Sequence, residues 1–170
     1  MNIKEKIRVV PDFPTPGIHF FDITTLLNDA DAFRETIDQM MLIAKKYNPD
    51  VVVALESRGF FFGTCLALQL GVPFVPVRKK GKLPFKTYQE TYSLEYGSAT
   101  MEIHIDAMPE GKRVLIVDDV LATGGSTSAA VNLVNQFHPE SIQLLFLMEI
   151  EALKGRGKLS KYPVDSLLIV

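Results

Sequence analysis

The sequence predicts an α/β protein with a mostly parallel central sheet flanked by helices. The apolar, β-branched run Val114–Val117 reads as a strand buried on both faces, Val51–Leu55 and Ser141–Met148 as further buried strands, and Phe74–Val77 as a strand beside them. Helical patterns alternate with them, and strand–helix–strand at this spacing argues for right-handed parallel crossovers. Three of the strands run into charged segments: Arg58, the Arg78–Lys82 group, and Asp118-Asp119. Ligands of such sheets bind beyond the carboxyl ends of the strands, so those segments are candidate functional positions.

A chain of 170 residues with 47% hydrophobic content is long enough for one domain over 1–170 with a sizeable core. A net charge of −2 without a long basic run gives no reason to expect nucleic acid as a partner. Cys65 alone allows no internal disulfide, which fits a reducing compartment, and its place on an apolar helical face favours buried packing over catalysis. Met1–Arg8 is charged and lacks the apolar core of a signal peptide. The apolar window Phe60–Val77 is broken by Gly71-Val72-Pro73, so a helix followed by a strand is expected there, not a membrane span. These features predict a cytoplasmic protein without a membrane partner.

Taken in order, Asn2–Val9 has the pattern of a short amphipathic helix. Pro11-Asp12-Phe13-Pro14-Thr15-Pro16-Gly17 cannot be helical and forms a proline-stiffened arm. Asp22-Ile23-Thr24-Thr25 reads as a turn. Asp31–Lys46 is a helix whose inner face carries Phe33, Ile37, Met40, Met41 and Ala44, and Pro49-Asp50 ends it. After the Val51–Leu55 strand, a helix over Phe60–Leu70 leads to the Phe74–Val77 strand. Tyr92-Ser93-Leu94-Glu95-Tyr96 and Thr100-Met101-Glu102-Ile103-His104 flank Gly97-Ser98, a hairpin signal over about 87–105. It stands outside the strand–helix alternation and is expected as an excursion from the sheet, the kind of element that serves as a lid. A helical pattern runs from Ala129 through Phe137, Glu149–Lys161 is polar and loop-like, and Val164–Val170 closes the chain as a strand.

The most informative stretch is Arg113–Thr127, R-V-L-I-V-D-D-V-L-A-T-G-G-S-T. Asp118 and Asp119 follow a buried strand, and consecutive side chains point to opposite faces, so the two acids can serve separate tasks. Ala122, Thr123, Gly124, Gly125 and Ser126 then lead into a helix. Small residues at a helix N-terminus let backbone N–H groups converge on an anion. Acids beside such a nest suit a sugar phosphate with hydroxyls. The loop lacks the lysine of a P-loop, and no G-x-G-x-x-G fingerprint is present. His19, His104 and His138 show no metal-ligand spacing, and Ser57 is in no G-x-S-x-G elbow. A metal would therefore be Mg²⁺ held largely by substrate oxygens.

The stretch resembles the phosphoribosyl-pyrophosphate (PRPP) motif of the type I phosphoribosyltransferases. Over nearly its full length the chain is similar to that group's adenine-specific family. The matches include Phe13-Pro14-Thr15-Pro16-Gly17, Asp22-Ile23, Glu56-Ser57-Arg58-Gly59-Phe60, Arg78-Lys79-Lys80-Gly81-Lys82-Leu83-Pro84, Tyr92-Ser93-Leu94-Glu95-Tyr96-Gly97 and Leu153-Lys154-Gly155-Arg156. The resemblance implies transfer of a phosphoribosyl group from PRPP to adenine, giving AMP and pyrophosphate, with Mg²⁺ and a homodimer. It implies a hood over the purine from about 1–25 and 149–170, and a mobile flap carrying Glu95 as the family's flap acid. Asp118, Asp119 and Ala122–Ser126 then bind ribose and phosphate, and Arg58, Lys79 and Lys82 meet pyrophosphate. Glu95 and Arg58 are the candidate catalytic residues. Phe20 and Ile150 would sandwich adenine, with the main-chain carbonyl of His19 and N–H of Phe21 on its edge. One position departs: the family often carries Arg where this chain has Phe21. Two other readings remain, a transferase for another base and a PRPP-sensing regulator without catalysis. The adenine-type hood argues against the first, and the presence of Glu95 and Arg58 against the second.

Overall fold

A computed structural model describes residues 1–170. The chain divides into two compact units, Met1–Gln39 and Met40–Val170, so the expected hood segments fall one in each.

In the first unit, Ile3–Lys6 forms a single 3₁₀ turn capped by the Asn2 side chain, not a helix to Val9. Arg8–Val10 (β1) instead pairs antiparallel with Phe20–Asp22 (β2), placing Phe21 opposite Val9. The valines of β1 favour extended backbone, which outweighs a helical pattern only a few residues long. Asp22 accepts from the Arg8 guanidinium at 2.6 Å and from the Thr24 hydroxyl at 2.7 Å. These bonds, Thr24's foremost, hold its carboxyl down at about 2. The expected turn tightens into Thr24–Leu27 (α1). Asp29 then accepts from the Ala32 N–H and caps Ala30–Tyr47 (α2), whose Ile37, Met40, Met41 and Ala44 are buried as expected.

The second unit is built on a seven-stranded sheet. Its strands are Val51–Leu55 (β3), Phe74–Lys79 (β4), Thr87–Ser93 (β5), Ser98–His104 (β6), Arg113–Leu121 (β7), Ser141–Glu149 (β8) and Val164–Ile169 (β9). Their order is β5-β6-β4-β3-β7-β8-β9, with β4, β3, β7, β8 and β9 parallel. The hairpin is no detached excursion: β6 pairs antiparallel with β4 through Arg78↔Glu102 and Lys79↔Met101, extending the sheet. No helix is long and apolar enough to cross a membrane.

Every residue of β3 is buried, as its unbroken apolar run requires. Arg58–Leu70 (α3) packs on β3 and β7. Gly125–Asn135 (α4) follows β7, and Ala129, Ala130, Leu133 and Val134 share a core with Val53, Ile116 and Phe146. Glu151–Leu153 and Gly155–Leu159, expected as loop, are short 3₁₀ turns. Gly71, with φ +69°, ends α3 in the left-handed conformation glycine adopts without steric cost. Gly63 is needed for packing. A β-carbon there would lie 2.6 Å from Ala54 Cβ and 3.1 Å from the Phe74 ring. Gly63→Ala should therefore cost about 1–2 kcal/mol, overpacking outweighing the helix-propensity gain. Urea unfolding reads this directly, and an unchanged or higher midpoint would show that α3 can move off the sheet.

Candidate active site

β3 leads through α3 toward β4 on one side, and its other neighbour is β7. The strand order reverses there, opening a crevice at the carboxyl ends of β3 and β7 where α/β sheets bind ligands. β7 runs four residues past the expected Val117, to Leu121, so both acids lie within the strand. Asp119 is buried and accepts from Arg58 Nε at 2.5 Å, joining the segment after β3 to β7. Asp118 accepts the Asp119 N–H at 2.8 Å. Burial first, and the neighbouring Asp119 second, push the Asp118 carboxyl well above the usual carboxylate range. A β-carbon on Gly59 would come within 2.9 Å of Asp118 Oδ1, so glycine lets α3 start against this acid.

Beyond β7, Gly124 stands at the N-cap of α4 with φ +88° and no capping side chain. The first-turn N–H groups therefore face an unoccupied capping position, a ready anion site. The demand for glycine is sharpest at Gly124, where a β-carbon would also lie 2.8 Å from the Gly155 carbonyl oxygen. At Gly125 it would meet the Tyr92 ring, at 3.3 Å, and the Ser93 carbonyl oxygen, at 4.0 Å. A cavity of about 230 Å³ beside this turn is lined by Tyr92 and Ser93 of β5, Gly125, Ser128 and Asn132 of α4, and Lys158. Asn132 Nδ2 donates to Glu90 Oε1 at 3.1 Å, seating β5 against α4.

The basic group after β4 is gathered by a carboxylate. Glu56, its side chain 5% exposed, accepts from Arg78 Nε at 3.1 Å, Lys82 Nζ at 3.0 Å and the Lys79 N–H at 2.9 Å. These partners outweigh burial and draw its carboxyl below the usual range. Glu102 of β6 holds the same loop from the other side. It accepts the Gly81 N–H at 2.5 Å, the Thr87 hydroxyl, and Gln89 Nε2 at 2.8 Å. Thr87 foremost, then Gly81, lowers its carboxyl. Sequence reasoning gave neither glutamate a role. Alternation along β6 places Glu102 opposite the buried Met101 and Ile103, on a face that reads as solvent until the 79–82 loop covers it.

The crevice thus collects Arg58, Asp118, Asp119 and the Ala122–Ser126 turn, and Glu56 draws Lys82 and the Lys79 backbone together. Glu95 is not among them; it sits at the exposed tip of the hairpin, where Gly97 turns with φ +86°. His19 is exposed, and Phe20 is half-buried with its ring edge-on to Phe13 at 5.3 Å. Ile150 is half-buried and donates its N–H to the Leu121 carbonyl at 2.9 Å.

Residues 23–170 match the model of the phosphoribosyl transferase domain. An adenine phosphoribosyltransferase of Acetivibrio thermocellus is 50% identical over 169 residues, 99% of each chain. The chain belongs to the adenine phosphoribosyltransferase family. The crystal structure of the family's Thermoanaerobacter pseudethanolicus member superposes with a TM-score of 0.94 at 48% identity, covering 99% of this chain and 98% of that one. The Saccharomyces cerevisiae enzyme, crystallised with an imino-altritol bisphosphate and adenine, gives 0.93 at 45% identity, covering 98% and 96%.

The raised Asp118 carboxyl has a consequence for stability. Between the ordinary Asp value near about 3.9 and its own higher value, the folded chain binds more protons at this group than the unfolded chain does. Its ionisation therefore lowers stability as pH rises through that window. Asp118→Asn should remove this loss, so the variant's urea midpoint should gain on the wild type's between pH 4 and pH 7. A constant difference across that range would mean the carboxyl is not raised.

Proposed function

We propose that the chain transfers the 5-phosphoribosyl group of PRPP to adenine, releasing AMP and pyrophosphate. The observation that carries this reading is the uncapped, glycine-led start of α4 directly after an acid pair at the sheet's switch point, in a chain of this family. Adenine N9 forms the new bond to the anomeric carbon as that carbon's bond to pyrophosphate oxygen breaks, and the imidazole-ring proton of adenine is released. The Ala122–Ser126 turn would hold the 5′-phosphate through main-chain N–H groups. Asp118 and Asp119 would take the ribose hydroxyls, and a protonated Asp118 can donate as well as accept.

Charge grows on pyrophosphate as it leaves, and Arg58, Lys79 and Lys82 are the cations proposed to meet it. Lys82 would exchange Glu56 for the leaving group. Mg²⁺ belongs to the same reading and would supply further neutralisation of pyrophosphate. Its ligands would be mainly oxygens of the substrate. We place the reaction in the cytoplasm and the enzyme in a homodimer, with neither nucleic acid nor membrane as partner.

Adenine is assigned to His19, Phe20, Phe21 and Ile150. Its 6-amino donor and N1 acceptor would pair with the His19 carbonyl and the Phe21 N–H. Both are main-chain groups, so Phe21 in place of arginine leaves them intact. A 6-oxopurine reverses donor and acceptor, and sites of this kind reject such analogues by roughly 10⁴-fold or more. The test is kcat/KM for adenine, hypoxanthine and guanine with saturating PRPP and Mg²⁺. Either 6-oxopurine within about tenfold of adenine, a gap of only ~1.4 kcal/mol, refutes the base assignment.

Glu95 is assigned to the transition state, which requires the hairpin tip to close over the reacting sugar and exclude water. Glu95→Ala should lower kcat while leaving adenine affinity nearly unchanged. Turnover near that of the wild type would reduce Glu95 to a solvated turn residue.

A further inference from the structure

The segment after β8 is matched by resemblance to the hood over the purine, yet it is bonded to β8 and β9 and packs directly against the Ala122–Gly125 turn. Glu149, the last residue of β8, is 5% exposed and accepts Arg156 Nε on both oxygens, at 2.7 and 2.9 Å. Ser166 of β9 donates to the same carboxylate at 3.1 Å, and Arg156 Nη1 donates to the Val164 carbonyl at 2.8 Å. Arg156 foremost, and Ser166 after it, hold the Glu149 carboxyl below the usual range despite burial. Arg156 is thereby fastened to two adjacent strands of the sheet.

Its neighbour Gly155 lies directly against the turn that opens α4. A β-carbon on Gly155 would overlap the Ala122 carbonyl oxygen and come within 2.8 Å of Leu121 Cδ1. From the other side, a β-carbon on Gly124 would come within 2.8 Å of the Gly155 carbonyl oxygen. The Ile150 N–H to Leu121 carbonyl bond, 2.9 Å long, ties the start of the same segment to the end of β7. The turn has no capping side chain of its own, and Gly124 is in a conformation from which glycine moves easily. Its shape is therefore set by what leans on it.

We propose that Arg156 is a positioning residue for the 5′-phosphate: by anchoring Gly155 to Glu149 and Val164, it holds the Ala122–Gly125 turn so that the first N–H groups of α4 converge on the anion. Arg156 itself touches no substrate in this role. The inference rests on the reading of the Ala122–Ser126 turn as the phosphate site and adds what keeps that site in shape. The geometry also explains why glycine precedes the arginine. A larger residue would push the turn aside even with the Arg156–Glu149 pair intact.

The test compares AMP with adenosine, which differ only in the 5′-phosphate, by calorimetric titration of the full chain, with the melting temperature of each variant recorded. Arg156→Gln and Gly155→Ala should each weaken AMP by about tenfold or more, the equivalent of one charge-assisted hydrogen bond, while adenosine changes by less than about twofold. Arg156→Lys keeps the charge but cannot span Glu149 and Val164 with a planar fork, and should restore AMP binding only in part. Equal weakening of AMP and adenosine would assign the segment to the base side and overturn the proposal. Unchanged affinities with a lowered melting temperature would overturn it too, leaving a purely structural ion pair. Should Arg156→Gln fail to fold, the Lys and Gly155 variants carry the same comparison. A wild-type chain that binds AMP no better than adenosine would instead refute the phosphate assignment of the turn.

Discussion

The buried Asp119 and the half-buried Asp118 beside it, near the end of β7, constrain most of what surrounds them. A buried carboxylate without a partner is strongly unfavourable, so each must be paired, hydrogen-bonded or protonated. Asp119 meets the Arg58 guanidinium, which fixes how the chain leaves β3. Asp118 receives a main-chain N–H and stays protonated to higher pH than an ordinary carboxyl. The start of α3 can approach Asp118 only because residue 59 has no side chain. One strand end thus dictates a salt bridge, a glycine and a helix start, all within reach of the same crevice. The arrangement is costly for folding, as expected where stability has been traded for a site.

The anion recognition proposed for this site would be assembled from main chain and from buried acids as much as from the basic residues themselves. Arg78, Lys79, Lys80 and Lys82 would repel one another if brought together alone. Glu56 permits the concentration of positive charge by accepting from Arg78 and Lys82, and Glu102 adds negative charge on the opposite side of the loop, where it accepts the Gly81 N–H. Glu56 binds side chains that a pyrophosphate can reclaim. Glu102 binds the Gly81 backbone and two residues of β5, so it sets the position of the loop and leaves the lysine ammonium groups to other partners.

The parallel sheet was legible because burial on both faces leaves uninterrupted apolar runs at β3, β7 and β8. The Asp118–Ser126 stretch was legible because small residues after a strand and before a helix have few other uses. What escaped was whatever depends on a neighbour distant in sequence. Ile3–Lys6 looked like the start of a longer helix because a few residues cannot display a period, and the pairing of Val9 with Phe21 decided the matter. Glu102 looked solvent-facing because its covering loop lies about twenty residues earlier in the chain. The 149–161 segment looked like loop because 3₁₀ turns have too few residues to show a pattern. The hairpin was visible as a hairpin, but two register pairs with β4 make it the edge of the main sheet.

That attachment shapes how the hairpin can serve the transfer. β5 and β6 pair over seven residues each, whereas β6 meets β4 only through Glu102 and Met101. The ladder within the hairpin is therefore longer than its junction with the sheet. Glu102 sits at that junction and ties it to the loop carrying Lys79 and Lys82. Beyond it, β5 is seated by the Glu90–Asn132 hydrogen bond, the approach of Tyr92 to Gly125, and the Tyr88 ring edge-on to Phe137 just after α4. The tip residues Leu94, Glu95 and Tyr96 are exposed. A segment with few buried contacts opens at low free energy, and that description fits the exposed tip, not the body of the hairpin, where Met101 and Ile103 are in the core. Because Tyr92 borders Gly125, movement of the hairpin changes what covers the Ala122–Ser126 turn. On the proposed reading of the turn as a phosphate site, hairpin position and phosphate binding would be linked where Tyr92 and Ser93 border Gly125.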